Sequence, residues 1–218
     1  FKPLIEKVGL SSFEEFVKKK RWYSGKTEFK KYEKTGFGTS TGKVECYSTI
    51  LEKLGYDPLP YYEESAESPL STPLVVKEYP LILTSGGRFL PMHHSEFREV
   101  KSARSMHPDP IIDIHPDTAR NLGISEGEWV WVETRRGRIK HKARLTPGIL
   151  PNVVHIQHGW WFPEMPRVEP WLRGVWESNA NVLTNSNPDT CDQHIGTWSN
   201  RAMLCKVYPV KSWQEEFT

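Results

Sequence analysis

One stretch limits the possible folds more than any other. Residues 111–145 read IIDIHPDTARNLGISEGEWVWVETRRGRIKHKARL. The apolar run Ile111-Ile112-Asp113-Ile114 is a short strand. His115-Pro116-Asp117 opens a one-to-two-turn helix that Gly123 stops. Glu128–Thr134 then alternates in period two, as a half-buried strand does. Arg135-Arg136-Gly137 turns it back into a second strand over 138–145. Strand, short helix, strand and tight hairpin in so few residues leave no room for a helical bundle.

The flanks extend this pattern. Leu81-Ile82-Leu83-Thr84 is a strand ending in Ser85-Gly86-Gly87, and Val153-Val154-His155-Ile156 is another after the Pro147-Gly148 break. Short strands joined by glycine turns favour a closed barrel, which leaves few edges unpaired. The predicted class is therefore mainly β with short helices.

Residues 1–75 read differently. Ser11 or Ser12 followed by Glu14 and Glu15 marks a helix start, and the cations at Lys18-Lys19-Lys20-Arg21 suit a helix end. Residues 36–48 are predicted as a glycine-rich turn and a short strand, followed by a helix from Ser48 to Leu54 that stops at Gly55. Glu63 to Pro73 is acidic and proline-bearing, a linker by composition. The boundary is set near residue 75, giving an extension over 1–75 and a barrel domain over 76–218.

The ten Lys/Arg within residues 1–35 stand against five Glu, yet the formal net charge of the whole chain is +2. That balance gives no argument for nucleic-acid binding. No apolar run reaches the length of a membrane span. Three cysteines without a CxxC pair argue against a disulfide framework or a cysteine-held cluster.

Four segments could carry chemistry. Thr84-Ser85-Gly86-Gly87-Arg88 ends a strand in small residues, which lets a ligand approach the backbone, and Arg88 could fork a phosphate. His93-His94-Ser95 with Arg98 offers polar contacts. Adjacent histidines on extended chain face opposite ways, which disfavours a shared metal. His158-Gly159-Trp160-Trp161-Phe162 places three aromatics after a strand, either as core or as a wall for a flat heterocycle. Asn179-Ala180-Asn181 offers amides for a ring edge. Cys191 with His194 permits a thiol-hydrolase reading, for which no orienting group can be named.

Together these residues form a pattern. LILTSGGRFLPMHHSEFR, then DIHPDTARNLGISEGEWVWVETRRGRIKHKARLTPGILPNVVHIQHGWWFPE, then ESNANVLT resembles the C-terminal domain of the dimethyl sulfoxide reductase family of molybdopterin oxidoreductases. TSTGKVECYSTILEKLGYDPLP resembles the stretch before that domain. HGWWFPE is similar to the thiosulfate and polysulfide reductase-like subgroup. The doubled glycine at 86–87 and Glu96 depart from the commonest family spelling.

The resemblance implies a double-psi β-barrel over about 80–210, holding the dinucleotide tails of a bis(molybdopterin guanine dinucleotide) cofactor with Mo or W. The implied cofactor-binding residues are Thr84, Ser85, Gly86, Arg88, His94, Ser95, His158, Gly159, Trp160, Asn179 and Asn181, with Gln193 a further candidate. It implies partners in the remaining domains of a parent catalytic subunit and an iron–sulfur electron-transfer subunit. It places such a parent in a bacterial or archaeal cytoplasm or periplasm. The metal ligand would lie upstream of this chain, so the chain alone is not expected to turn over substrate. The alternative is a non-catalytic double-psi-barrel module that binds a protein or another ligand.

Overall fold

The computed structural model describes residues 2–7, 9–19, 28–87, 89–192 and 194–210. The chain divides into two compact units, Phe1–Tyr62 and Glu63–Thr218.

The first unit is built of short helices: α1 (Lys2–Lys7), α2 (Phe13–Lys19), α3 (Lys31–Thr35) and α4 (Thr49–Lys53). Serines start two of them. Ser12 Oγ accepts from Glu15 N at 3.2 Å before α2. Ser48 Oγ accepts from Leu51 N at 3.2 Å before α4, satisfying a backbone donor that has no partner inside the helix. Part of the Lys18–Arg21 run lies outside the described residues. The strand expected within 36–48 does not form: these residues are turns and bends. Gly36 and Gly42, both at positive φ, fold the segment back on itself, with Phe37 N donating to Gly42 O at 2.8 Å.

The second unit begins with α5 (Pro73–Val76) and then closes six strands into a barrel. They are β1 (Leu81–Gly87), β2 (Ile111–Ile114), β3 (Trp129–Thr134), β4 (Gly137–Leu145), β5 (Val153–Gln157) and β6 (Met203–Pro209), with α6 (Lys101–Met106) and α7 (Pro116–Leu122) between them. The order around the barrel is β1-β5-β2-β4-β3-β6. Two pairs, β1 with β5 and β2 with β4, run parallel, and the other four pairings are antiparallel. This is the double-psi barrel.

The core follows from the alternation. In β3, Val130, Val132 and Thr134 point inward, while Trp129, Trp131 and Glu133 face out. They meet Leu83, Ile112, Ile114, Ile139, Val154 and Ile156, all fully buried. Outside, Trp131 lies between Arg138 and Lys140, whose charged groups sit 4.1 and 4.6 Å from its ring centre.

Strand β6 has no counterpart in the sequence reading, which treats the last 60 residues as irregular. It pairs β1 on one side and β3 on the other, and so closes the barrel. Its first three residues, Met203, Leu204 and Cys205, are all buried, which hides the period-two pattern.

The acidic stretch before the barrel packs on it. Glu67, 7% exposed, takes two hydrogen bonds from Arg136 and one from Leu204 N. It thereby ties the β3–β4 turn to the start of β6. Burial opposes its charge, but the Arg136 hydrogen bonds, the Leu204 amide and the nearby Arg135 outweigh this and hold its carboxyl below the usual range.

Candidate functional site

Strands β1, β3 and β5 finish at the barrel end where β2, β4 and β6 begin. That end collects the candidate segments. The register places Gly87 opposite Gln157, with an irregularity between Thr84 and Gly87. The chain therefore leaves β1 and β5 side by side, and the loops after them grow from neighbouring points.

They also touch. Thr84 Oγ1 lies 2.8 Å from His155 Nδ1. His94 Nδ1 and His158 Nε2 are 2.8 Å apart, one ring nitrogen donating to the other. Trp161 Nε1 donates to Ser95 O at 2.6 Å. A Cβ on Gly159 would lie 3.1 Å from Ser95 Cβ, so the missing side chain permits the two loops to meet there. His94 has φ of 50°, a left-handed value held by these contacts.

Glycine at 86–87 has two separate reasons. Gly86 has φ of 89°. Gly87 lies directly beneath the His155 ring, where any Cβ would overlap Nε2. The neighbours of His155 settle its charge. Burial lowers its pKa, Asp113 raises it, and Arg144 and Arg201 lower it further; the net result is a pKa below the usual imidazole value.

The third segment sits at the same end. Ser178 O lies 3.1 Å from His141 Nε2, and Ser178 Oγ donates to Lys140 O at 2.9 Å. Leu183 O accepts from Thr134 Oγ1 and Arg136 Nε. The segment thus rests on the β3–β4 turn, just C-terminal to α8 (Val175–Ser178). Asn179 Oδ1 accepts from Asn181 N at 3.0 Å and caps the turn Ala180–Val182. Asn181 is exposed. Ser85 Oγ donates to Asn200 O, and Asn200 Oδ1 accepts from Asn185 N. These two bonds connect the first loop to the late amide-rich segment.

Trp160 is fully buried. The centres of the Arg98 and Arg104 guanidinium groups lie 4.4 and 5.1 Å from its ring centre, and His107 packs edge-on at 5.4 Å. His107 in turn donates to Gln157 Oε1 at 2.9 Å, which anchors the loop at the end of β5. The indole is therefore a platform beneath the loop rather than an open wall. Arg88 and Gln193 lie outside the described residues. Cys191 and His194 lie in a local turn organised by Asp192, whose Oδ1 accepts from His194 N and Ile195 N, each at 2.9 Å.

Two residues were missed by the sequence reading. Arg201 brings its guanidinium to 3.8 Å from the Cβ position of Gly86. His155 is the partner that demands Gly87. Both depend on the pairing of β1 with β5 and β6, which no local motif reveals. The donor set at this end fits an anionic ligand with heterocyclic edges: guanidinium beside an open glycine, two histidines and an exposed amide.

A double-psi barrel with glycine-lined loops and these donors gathered at one end defines a cofactor-binding domain. The chain belongs to the family described as the Molydopterin dinucleotide binding domain, whose model matches residues 81–198. It is 41% identical over 198 residues to acetylene hydratase of Syntrophotalea acetylenica, covering 90% of this chain and 27% of that protein. It is 37% identical over 179 residues to dopamine dehydroxylase of Eggerthella lenta, covering 80% and 17%. The solved acetylene hydratase of Pelobacter acetylenicus superposes with a TM-score of 0.81 at 35% identity, over 92% of this chain and 28% of that one. The chain thus spans about a quarter or less of these relatives. The dimethyl sulfoxide reductase DmsA of Escherichia coli is 31% identical over 183 residues. These likenesses make the chain the dinucleotide-binding domain of the dimethyl sulfoxide reductase family. They support binding of a molybdopterin cofactor over the alternative of a non-catalytic module.

Proposed function

We propose that this chain closes over the dinucleotide tails of a bis(molybdopterin guanine dinucleotide) cofactor, carrying Mo or W, in a larger oxidoreductase subunit of the thiosulfate and polysulfide reductase-like subgroup. One observation carries the reading: loops far apart in sequence, 84–95 and 155–161, interlock at one barrel end, and 178–183 sits at that same end.

Within it each residue has a role. Thr84, Ser85 and Gly86 form a narrow strand end that a phosphate can approach, with Arg88 and Arg201 as cations. His94, Ser95, His158 and Gly159 form a joint that offers imidazole edges to a pterin. Trp160 supports that joint from beneath. Asn179 shapes the late turn, and Asn181 presents its amide to a guanine or pterin edge. The bound group would supply the electron or atom transfer, while these residues orient it and keep water away. Residues 1–75 belong, on this reading, to the preceding domain of the parent and its linker. The parent's other domains complete the pocket, and an iron–sulfur subunit is the electron partner.

The test is cofactor retention in the longer parent. Single variants His158→Ala, Asn181→Ala and Arg88→Ala should each lower the pterin, guanine nucleotide and metal released from purified protein, with folding unchanged. A surface variant, Lys53→Ala, should release the full amount. Full occupancy in all three rim variants would remove the reading.

A further inference from the structure

Around one buried indole, three side-chain donors have no acceptor among the described residues: Arg98 Nε, Arg104 Nη1 and Trp160 Nε1. They belong to one cluster, because both guanidinium groups pack against the same indole. Arg98 is fully buried. Its Nη2 donates to His94 O at 3.0 Å and its Nη1 contacts Met92 Sδ, both neutral groups. Among the described residues no carboxylate pairs with it. Buried cations ordinarily have one. Burial first, and repulsion from Arg104 second, lower its pKa to about 10, so the side chain remains charged at neutral pH.

Arg98 and Arg104 also line an open cavity of about 530 Å³ beside α6. Lys101 joins them there; Glu99 and Glu164 lie on the same wall, and Pro108 and Pro163 supply apolar surface. Arg104 Nη2 is already held by Glu164 Oε1 at 2.9 Å. Three cations against two carboxylates leave a single positive charge, so a monoanion balances the site and a pyrophosphate would overload it. Unmatched donors without unmatched acceptors call for an acceptor-only group. A planar guanidinium suits a planar carboxylate, and the prolines suit a short hydrocarbon body.

We propose that this cavity binds the carboxylate of a small organic acid or of an acidic side chain. The charged oxygens accept from Arg98 and Arg104, the two guanidinium groups that stack on the Trp160 ring. The cavity lining contains none of the rim residues proposed for the dinucleotide tails; the two places meet through the Trp160 ring and the Arg98–His94 hydrogen bond. The parent could therefore hold its pterin and lack this site, or the reverse.

Fluorine NMR of the fluorotryptophan-labelled chain tests it, with the resonance of residue 160 assigned by Trp160→Phe. Acetate and propionate should shift that resonance saturably, and chloride at equal ionic strength should not. Arg104→Gln, at a partly exposed position that tolerates change, should weaken acetate binding by about tenfold, the value of one charge-assisted hydrogen bond. Arg98→Met should abolish the shift. In the longer parent, a resonance already at its bound position identifies an acidic side chain of the parent as the source. A resonance that still responds to acetate identifies a free acid. The proposal is overturned by an unresponsive resonance in the isolated chain, by chloride matching acetate, or by Arg104→Gln binding acetate at full strength.

Discussion

Glu67 grips Arg136 with both carboxylate oxygens, at 2.8 and 3.1 Å. The same carboxylate accepts from Leu204 N at 2.8 Å, so a residue outside the barrel fastens a hairpin turn to the strand that closes it. Glu67→Ala leaves the Leu204 amide without an acceptor and removes the carboxylate from a mostly buried guanidinium. The expected cost is about 2–4 kcal/mol, read from denaturant midpoints. The pH dependence has a definite sign. The folded pKa is depressed, so the stabilisation is fully present above the unfolded value near ~4.3 and is lost as pH falls through the folded one. Wild type and Glu67→Gln should therefore converge in stability under acid conditions. A gap that stays constant down to pH ~2 would contradict this assignment.

Gly87 and His155 compete for the same volume. A Cβ at 87 overlaps the imidazole, so Gly87→Ala must displace the ring and break its contact with Thr84. The expected loss is about 1–3 kcal/mol, as in other overpacked sites. Removing the ring should relieve it. In the double variant Gly87→Ala/His155→Ala, the cost of the glycine change should nearly vanish, giving a coupling energy of about 1 kcal/mol or more. Strict additivity in that cycle would show that the clash is relaxed by another route.

Gly159 meets Ser95 across the interlocked loops. Its φ of 67° already disfavours a side chain, by roughly 1–2 kcal/mol for an L-residue. An added methyl group would also press on Ser95 at 3.1 Å. Gly159→Ala should therefore separate the 93–95 loop from the 158–161 loop. In the longer parent, cofactor content should fall by a larger factor than the loss of thermal stability alone explains. Proportionate losses would assign Gly159 to folding only.

These cases mark how far the sequence could be read. Strands β1 to β5 and α7 were legible because each carries its own periodicity or cap: His115 before Pro116, Gly123 after Leu122, Val130 and Val132 alternating with Trp129 and Trp131. Strand β6 was not legible. Its consecutive buried residues Met203, Leu204 and Cys205 are explained by contacts on both faces, including Glu67, which lies 137 residues earlier. At the candidate site, the glycines and histidines were identifiable as residue types in a family-like order. The facts that Gly87 serves His155, that Arg201 reaches Gly86 and that Trp160 is roofed by two arginines arise only from pairing across the barrel. No periodicity along the chain encodes them.

His141 gives the sharpest pH prediction. It is fully buried in β4, and both ring nitrogens face carbonyl oxygens: Nδ1 at 3.0 Å from Ile111 O, Nε2 at 3.1 Å from Ser178 O. A neutral ring can donate to only one of them, while a charged ring could serve both but would lie inside an apolar barrel. Burial prevails over the two carbonyls and lowers the pKa to about 4, so the folded protein holds the neutral ring. The unfolded chain binds a proton near pH ~6.5. The resulting stabilisation is complete above that value and is lost as pH falls from there toward the folded pKa. Over that window about 3 kcal/mol should disappear, set by the gap between the folded and unfolded pKa values. Guanidinium unfolding at pH ~7.5 and ~4.5 measures it. His141→Phe should be less stable at neutral pH, because the one carbonyl that the neutral ring serves loses its donor, and its stability should change much less between the two pH values. An equal slope in both proteins would mean that another group, and not this ring between β2 and the Asn179 turn, governs the acid response.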